Sequence, residues 1–187
     1  LPRYRRVDSR ARLVVSVSNG EREVARESSP CRDGVPFTIA VPDPELWYPG
    51  HPALYDIQLS VEKNGEELDA VSSYGALREI SVEDGSFFIN GQSLYLRLVL
   101  DQGFYPDGVW TAPSDEALKR DIELSMDAGF NGARLHQKVF EDRFHYWADK
   151  LGYLTWSEWP SWGLGYNNYA AARAFENEER EVVAHLR

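Results

Sequence analysis

The chain has 187 residues, 43% of them hydrophobic and 13% aromatic, which is ample material for a buried core and excludes disorder as the main state. Its formal net charge of −10 excludes nucleic acid and anionic membrane surfaces as partners, because both require a basic face. No stretch approaches the roughly 20 apolar residues of a membrane span; the longest apolar run, Leu94 to Leu100, is broken by Arg97.

The opening residues, Leu1 to Arg6, lead into no apolar segment, so no signal peptide is expected, although the chain does not begin with Met. The single cysteine, Cys31, cannot form an internal disulfide, and there is no Asn-x-Ser/Thr sequon. Both features lean toward a cytoplasmic setting.

From Arg12 to Ile80 the pattern is that of β-structure. Leu13 to Ser18 alternates apolar and polar positions and ends at Asn19-Gly20, a two-residue hairpin signal. Glu23 to Arg26 returns from that turn, and Ser28 to Gly34, rich in Ser, Pro, Asp and Gly, reads as a loop. Phe37 to Val41 is a predicted strand closed by Pro42. Leu54 to Glu62 is another, turning at Asn64-Gly65, with Leu68 to Tyr74 and Leu77 to Val82 after it. Short strands with turns about every 8–12 residues predict a β-sandwich over residues 1–82. That length is slightly short for such a fold, so an edge strand is expected to be missing at the N-terminal side.

Beyond residue 82 the pattern becomes strand, helix, strand, helix. Ser86 to Ile89, Asn90-Gly91 and Leu94 to Leu96 read as a hairpin leading into a strand; Leu94 to Leu100 is apolar enough for a parallel strand covered on both faces. Ser114 is a predicted N-cap with Asp115 and Glu116 in the first turn of a helix that ends at Gly129. Phe130 to Leu135 follows as a strand, Glu141 to Lys150 as a helix stopped by Gly152, Tyr153 to Ser157 as a strand and Ala170 to Leu186 as a charged helix. Three consecutive βα units over 83–187 predict a parallel sheet with right-handed crossovers.

In parallel βα folds, ligands bind where the strands end. The three strand ends here carry Asp101-Gln102, Arg134-Leu135-His136-Gln137-Lys138 and Trp156-Ser157-Glu158-Trp159. The first leads into an aromatic loop, Gly103 to Trp110, and Trp162 lies just beyond the third. In register, Asp101, Arg134, His136 and Glu158 are expected to converge on one rim with several Trp rings. Carboxylates that accept hydroxyl hydrogen bonds, beside flat aromatic faces, suit a carbohydrate; Lys138 is placed to meet a ligand carboxylate. Each residue also has a structural reading: Asp101 as a helix cap or solvated loop residue, Arg134 with Glu158 as a bracing ion pair, His136 as a satisfied histidine. Of Trp156, Trp159 and Trp162, some are expected in the core and some at the rim. His51 and His145 read as structural and His185 as a surface residue. No metal is expected, because no His-Glu-x-x-His or paired-Cys spacing occurs, and no cofactor motif is present; Gly163-Leu164-Gly165 lacks the glycine-to-helix pattern of a phosphate loop.

The segment Leu46-Trp47-Tyr48-Pro49-Gly50-His51-Pro52-Ala53-Leu54-Tyr55 resembles the Leu-Trp-x-Pro-x-x-Pro-x-Leu-Tyr signature of glycoside hydrolase family 2. Tyr74-Gly75-Ala76-Leu77-Arg78-Glu79-Ile80 is similar to the end of that family's immunoglobulin-like sandwich. Phe88-Ile89-Asn90-Gly91 with Leu96-Arg97 is similar to the start of its TIM barrel. Ala128-Gly129-Phe130-Asn131 with Arg134 and His136 resembles its second barrel strand, and Leu151-Gly152-Tyr153 with Trp156-Ser157-Glu158 its third. The resemblance runs in order along nearly the whole chain. Leu98 departs from it, standing where the family usually has Gly.

The resemblance implies an immunoglobulin-like β-sandwich (1–82) followed by the first three βα units of a (β/α)8 TIM barrel (83–187). It implies a β-galactosidase, β-glucuronidase or β-mannosidase-like parent. Asp101, Arg134, His136 and Glu158 would fall at substrate-contacting or bracing positions. The family's acid/base and nucleophile follow the fourth and seventh barrel strands, so neither catalytic carboxylate is expected among these residues. Asn177-Glu178 is an Asn-Glu pair, but in a charged helical run. The chain therefore reads as a fragment with a sugar-binding rim, inactive alone, whose open barrel edge favours self-association. A non-catalytic carbohydrate-binding or protein-interaction module is the alternative.

Overall fold

The computed structural model describes residues 2–6, 8–161 and 167–186. Two compact units emerge, Leu1–Ser81 with Phe88–Gln92, and Val82–Phe87 with Ser93–Arg187.

In the first unit, strands β1 (Arg12–Asn19), β2 (Arg22–Pro30), β3 (Tyr55–Lys63) and β4 (Glu66–Gly75) form one antiparallel sheet in the order β2-β1-β3-β4. The alternation in β1 sets Leu13, Val15 and Val17 on one face, opposite Val61, Leu59 and Ile57 of β3. All three are buried, and so is Val14 on the other face. The β3–β4 hairpin turns on Asn64-Gly65, both with positive φ (54° and 84°), the conformation whose twist matches the flanking strands.

Two expectations fail here. Phe37 to Val41 is not a strand: Pro36, Pro42 and Pro44 crowd that stretch, and none has the N–H a ladder requires. Conversely β2 runs through the Ser28–Pro30 part of the predicted loop. Its terminal Pro30 faces Arg12 on an edge strand, where a missing N–H is tolerated.

Between β2 and β3, Trp47 is the largest fully buried side chain. Its N–H donates to Leu77 O at 2.9 Å, the Asn90 amide donates to its carbonyl at 3.0 Å, and the Arg78 guanidinium lies 4.9 Å from its ring centre. Tyr48 and His51 exchange backbone hydrogen bonds around Gly50 (φ 81°). Glu45 N–H donates to the Tyr55 hydroxyl at 2.7 Å, and His51 Nε2 lies 2.7 Å from the Glu45 carboxylate.

Strands β5 (Ile80–Glu83), β6 (Ser86–Ile89) and β7 (Gln92–Leu94) form a three-stranded meander. Its turns, Asp84-Gly85 and Asn90-Gly91, have positive φ at all four residues; only the second pair was noted in the sequence.

In the second unit the elements alternate: β8 (Leu98–Asp101), α1 (Asp115–Asp127), β9 (Gly132–Leu135), α2 (Asp142–Leu151), β10 (Leu154–Ser157) and α3 (Tyr169–His185). The three strands are parallel, with β9 between β8 and β10. Ser114 caps α1, accepting the Ala117 N–H at 3.2 Å. Gly152, at φ 73°, ends α2. Leu118 and Ile122 of α1, Phe144 and Ala148 of α2, and Ala133 and Leu135 of β9 form one core with Phe140 and Tyr153.

The apolar run from Leu94 to Leu100 is not one doubly covered strand. β7 ends at Leu94, β8 begins at Leu98, and Leu100 is 51% exposed. The Asn131 side chain replaces the ladder between them. Its Oδ1 accepts the Arg97 N–H at 2.8 Å and its Nδ2 donates to Tyr95 O at 2.9 Å. Its backbone bonds Arg97 O on one side and the Leu154 N–H on the other, so one residue aligns the starts of all three strands.

Gly132 sits where the three strands approach most closely. A Cβ there would meet Leu154 O at 2.5 Å and Leu98 Cδ2 at 2.7 Å, and a strand carbonyl cannot swing aside. Gly132→Ala is expected to lower stability by about 1–3 kcal/mol, the usual scale of overpacking, read as a drop in the urea midpoint. An unchanged midpoint would mean that the sheet is looser than this.

Candidate functional site

The register aligns Leu98, Gly132 and Leu154 in one row, then Val99, Ala133 and Thr155, then Leu100, Arg134 and Trp156, then Asp101, Leu135 and Ser157. Side chains alternate along each strand, so the first and third rows share a face and the second and fourth share the other. Ala133 and Leu135 are packed into the helix core. The second and fourth rows therefore face the helices, while Leu98, Leu100, Arg134 and Trp156 face away.

On that second face the Arg134 guanidinium pairs with the carboxylate of Glu158, the residue just after β10. Leu98, Leu100, Arg134, Trp156 and Glu158 line a concavity of about 550 Å³. Trp156 is 47% exposed and is braced by Phe87, whose ring centre lies 5.7 Å away at 66°. The result is an apolar shelf with one aromatic ring and an ion pair at its C-terminal end.

Of the four predicted site residues, the structure brings Arg134 and Glu158 together. His136 follows β9 directly; its N–H donates to Asp101 O at 2.7 Å, and its Nδ1 lies 3.0 Å from the Gln102 side-chain nitrogen. An amide N–H donated to Nδ1 leaves the proton of the neutral ring on Nε2.

Asp101 does not join them. It shares a row with Leu135, on the helix face, and its carboxylate accepts the Gly103 N–H at 2.8 Å. Burial raises its pKa, helped by the nearby charges of Asp121 and Glu141 and opposed by the Gly103 bond and Lys138. Around it the Tyr105 hydroxyl donates to Asp121 at 2.6 Å, and the Tyr153 and Ser125 hydroxyls lie 2.6 Å apart. Burial pushes the Tyr153 hydroxyl up to about 12.

Lys138 also points inward. Its ammonium donates to Trp110 O at 2.8 Å, lies 3.4 Å from the Glu141 carboxylate and sits over the Phe140 ring. At 11% side-chain exposure, that charge is committed within the protein rather than offered to a ligand carboxylate. Of the tryptophans, Trp156 lines the concavity and Trp159 packs on Phe175 of α3; Trp162 lies outside the described residues. The apolar shelf of Leu98 and Leu100 and the Gln102–His136 contact were missed in the sequence. Counting in twos from Leu98 would have put Leu100 on the same face and so found the shelf. Among the described residues no group of three His, Cys, Asp or Glu side chains is arranged to hold a metal ion, and no helix is long and apolar enough to cross a membrane.

Residues 5–78 match the family model described as glycosyl hydrolases family 2. A putative β-glucuronidase of Formosa agariphila is 31% identical over 128 residues, 67% of this chain and 15% of that protein. A β-mannosidase B of Aspergillus flavus is 29% identical over 185 residues, 89% of this chain and 21% of that protein. In structure, an FMN-binding β-glucuronidase from Facaelibacterium prausnitzii L2-6 superposes with a TM-score of 0.84 at 26% identity, over 94% of this chain and 27% of that one. The chain belongs to glycosyl hydrolases family 2. It spans roughly a quarter or less of the length of the family 2 relatives it matches.

The segment from Leu46 to Tyr55 is a packing device. Trp47 fills the core, Gly50 makes the turn and Tyr55 ties back to Glu45. Asn131 plays the same kind of part in the second unit.

The placement of Asp101 has a measurable consequence. Its folded pKa lies above the ordinary 3.8, so the stability linked to its protonated form is fully present below that value and lost as pH rises through the raised one. Asp101→Asn keeps an oxygen for the Gly103 N–H and removes the buried charge. The variant is expected to melt higher than the parent at pH 7 and to lose that advantage by pH 3. A variant that melts lower at pH 7 would mean the ionised carboxylate is better solvated than its surroundings imply.

Proposed function

We propose that this chain is part of a glycoside hydrolase that cleaves β-linked sugars by a retaining, two-carboxylate mechanism. In this reading residues 1–82 are an immunoglobulin-like sandwich and residues 83–187 are the first three βα units of a TIM barrel. The observation that carries it is the face bearing Arg134, Trp156 and Glu158 at the C-terminal ends of three parallel strands, which is where βα barrels hold their substrates. The Trp156 ring offers a flat apolar surface for the C–H face of a sugar, and the Arg134–Glu158 pair offers hydroxyl partners beside it. His136 is proposed as a further substrate contact through its Nε2. Asp101 is left out of this set, because its side chain lies on the helix face.

The chain alone is proposed to be inactive. Retaining hydrolysis needs two carboxyls about 5 Å apart, one of them the nucleophile and the other the acid/base. Glu158 is held by Arg134, Asp101 lies on the opposite face, and Glu178 is exposed on α3. We also propose that the chain self-associates through the outer edges of β8 and β10, which pair with no further strand among the described residues, because Leu100 and Trp156 are half-exposed beside them. The lone Cys31 is the ground for proposing a cytoplasmic setting.

A panel of nitrophenyl β-glycosides tests the reading, offered to this chain and to a version lengthened by about 250 residues, enough to close a barrel. Hydrolysis by the longer version alone is expected. Turnover by the shorter chain would overturn its inactivity and point to Glu158; silence from both would favour a binding module. In sedimentation velocity the chain is expected to run larger than a monomer at micromolar concentration. A single monomeric boundary would remove the self-association.

A further inference from the structure

The loop from Gly103 to Ala112 leaves the C-terminal end of β8 with two large rings in the open. Phe104 is 59% exposed and Trp110 is 56% exposed, and their centres lie 5.8 Å apart at 60°. The backbone that carries them is tied down from several sides. Tyr105 and Val109 exchange hydrogen bonds of 2.9 and 3.0 Å, and the Thr111 N–H donates to Gly108 O at 3.0 Å. Tyr105 is bonded to Asp121 of α1, Lys138 holds the Trp110 carbonyl, and Asp101 holds the Gly103 N–H.

The loop is also built against local preference. Val109, a β-branched residue, has φ 56°, a conformation such residues adopt only when their surroundings impose it. Gly108 has no room for a side chain, since a Cβ there would run into the Thr111 carbonyl. Among the described residues these anchoring bonds fix the backbone or the underside of the loop, and both rings stay more than half exposed. The aromatic pair is therefore held in place before any ligand arrives, which reduces the entropy lost on binding.

We propose that Phe104 and Trp110 form a second carbohydrate-binding platform, which stacks on the sugar unit next to the one held in the Arg134–Trp156–Glu158 concavity. This inference rests on the carbohydrate reading above. The ring pair supplies the apolar surface for a sugar's C–H face, and Asp107, exposed in the same loop, supplies a hydroxyl acceptor. The C–H face of a neighbouring sugar and an aryl aglycone both pack on an aromatic ring, so the ligand series separates them. Lys138 acts here as a positioning residue, through the Trp110 carbonyl.

The test is NMR of the tryptophan indole N–H signals of the 187-residue chain, with the Trp110 signal assigned by its loss in Trp110→Phe. Cellobiose, lactose, β-mannobiose, the matching monosaccharides and nitrophenyl β-glycosides are titrated in turn. A saturable shift of the Trp110 signal with at least one disaccharide, stronger than with its monosaccharides, is expected. Phe104→Ala should weaken that binding about threefold to tenfold, the scale of an aromatic pair, and Lys138→Met should weaken it with both rings present. A Trp110 signal unmoved by every disaccharide overturns the proposal, and a response to the nitrophenyl compounds alone reassigns the platform to an aryl group and overturns it too. If the lengthened chain hydrolyses glycosides yet Trp110→Ala leaves kcat/KM for disaccharides unchanged, the platform fails while the glycosidase reading stands. If Trp110 binds disaccharides and the lengthened chain hydrolyses nothing, the platform stands and the hydrolase reading fails.

Discussion

The second unit depends on the register of its three parallel strands, because a shift of one residue moves every side chain to the opposite face. Two residues set that register. Asn131 bonds the backbone on both flanks through its amide and its main chain. Gly132, the next residue, lets β8 and β10 close in to distances that any side chain would prevent. With the register fixed, Ala133 and Leu135 must enter the helix core, and Arg134 must then emerge on the opposite face beside Trp156. The chemistry available at the rim is thus a consequence of packing two residues upstream.

Much of this was legible in the sequence. The order of strands and helices, the Ser114 cap, the Gly152 stop and the turns at Asn64-Gly65 and Asn90-Gly91 are local signals, and they form where predicted; the first hairpin turns one residue later than Asn19-Gly20, on Gly20-Glu21. The Phe37–Val41 strand failed because an alternating pattern cannot report the absence of a partner, and the flanking prolines weighed against one. The continuous strand from Leu94 to Leu100 failed because apolarity does not distinguish burial by helices from exposure on an open face. At the site, the strand ends were read correctly as positions, but their parity was not counted. Asp101 and Arg134 both lie at the C-terminal ends of their strands, yet they stand one row apart in register and so face opposite ways.

The segments that carry the family resemblance mark architecture more than chemistry. Trp47, Gly50, Tyr55 and Asn90 hold the first unit through burial, a left-handed turn and bonds to backbone groups. Such residues tolerate little change because each meets several constraints at once: Trp47 has its core packing, both backbone groups and the Arg78 contact to satisfy. A half-exposed residue such as Trp156 meets fewer constraints from its own chain.

Charge beneath the helices follows the same logic. Asp101 feels the charges of Asp121, Glu141 and Lys138, and Lys138 pairs with Glu141. Burial is the main reason that the pKa of Asp101 rises; the charges of Asp121 and Glu141 add to it, while the Gly103 bond and Lys138 oppose it. The Tyr105 hydroxyl spreads the charge of Asp121 by donating to it, and in doing so anchors the aromatic loop. Lys138 is held by the Glu141 carboxylate and by two loop carbonyls together. Truncating any one of the three carboxylates to alanine would remove a negative charge and at the same time loosen the grip on the loop. An acidic layer that is costly for stability is in this way the same layer that fixes Phe104 and Trp110 in the open.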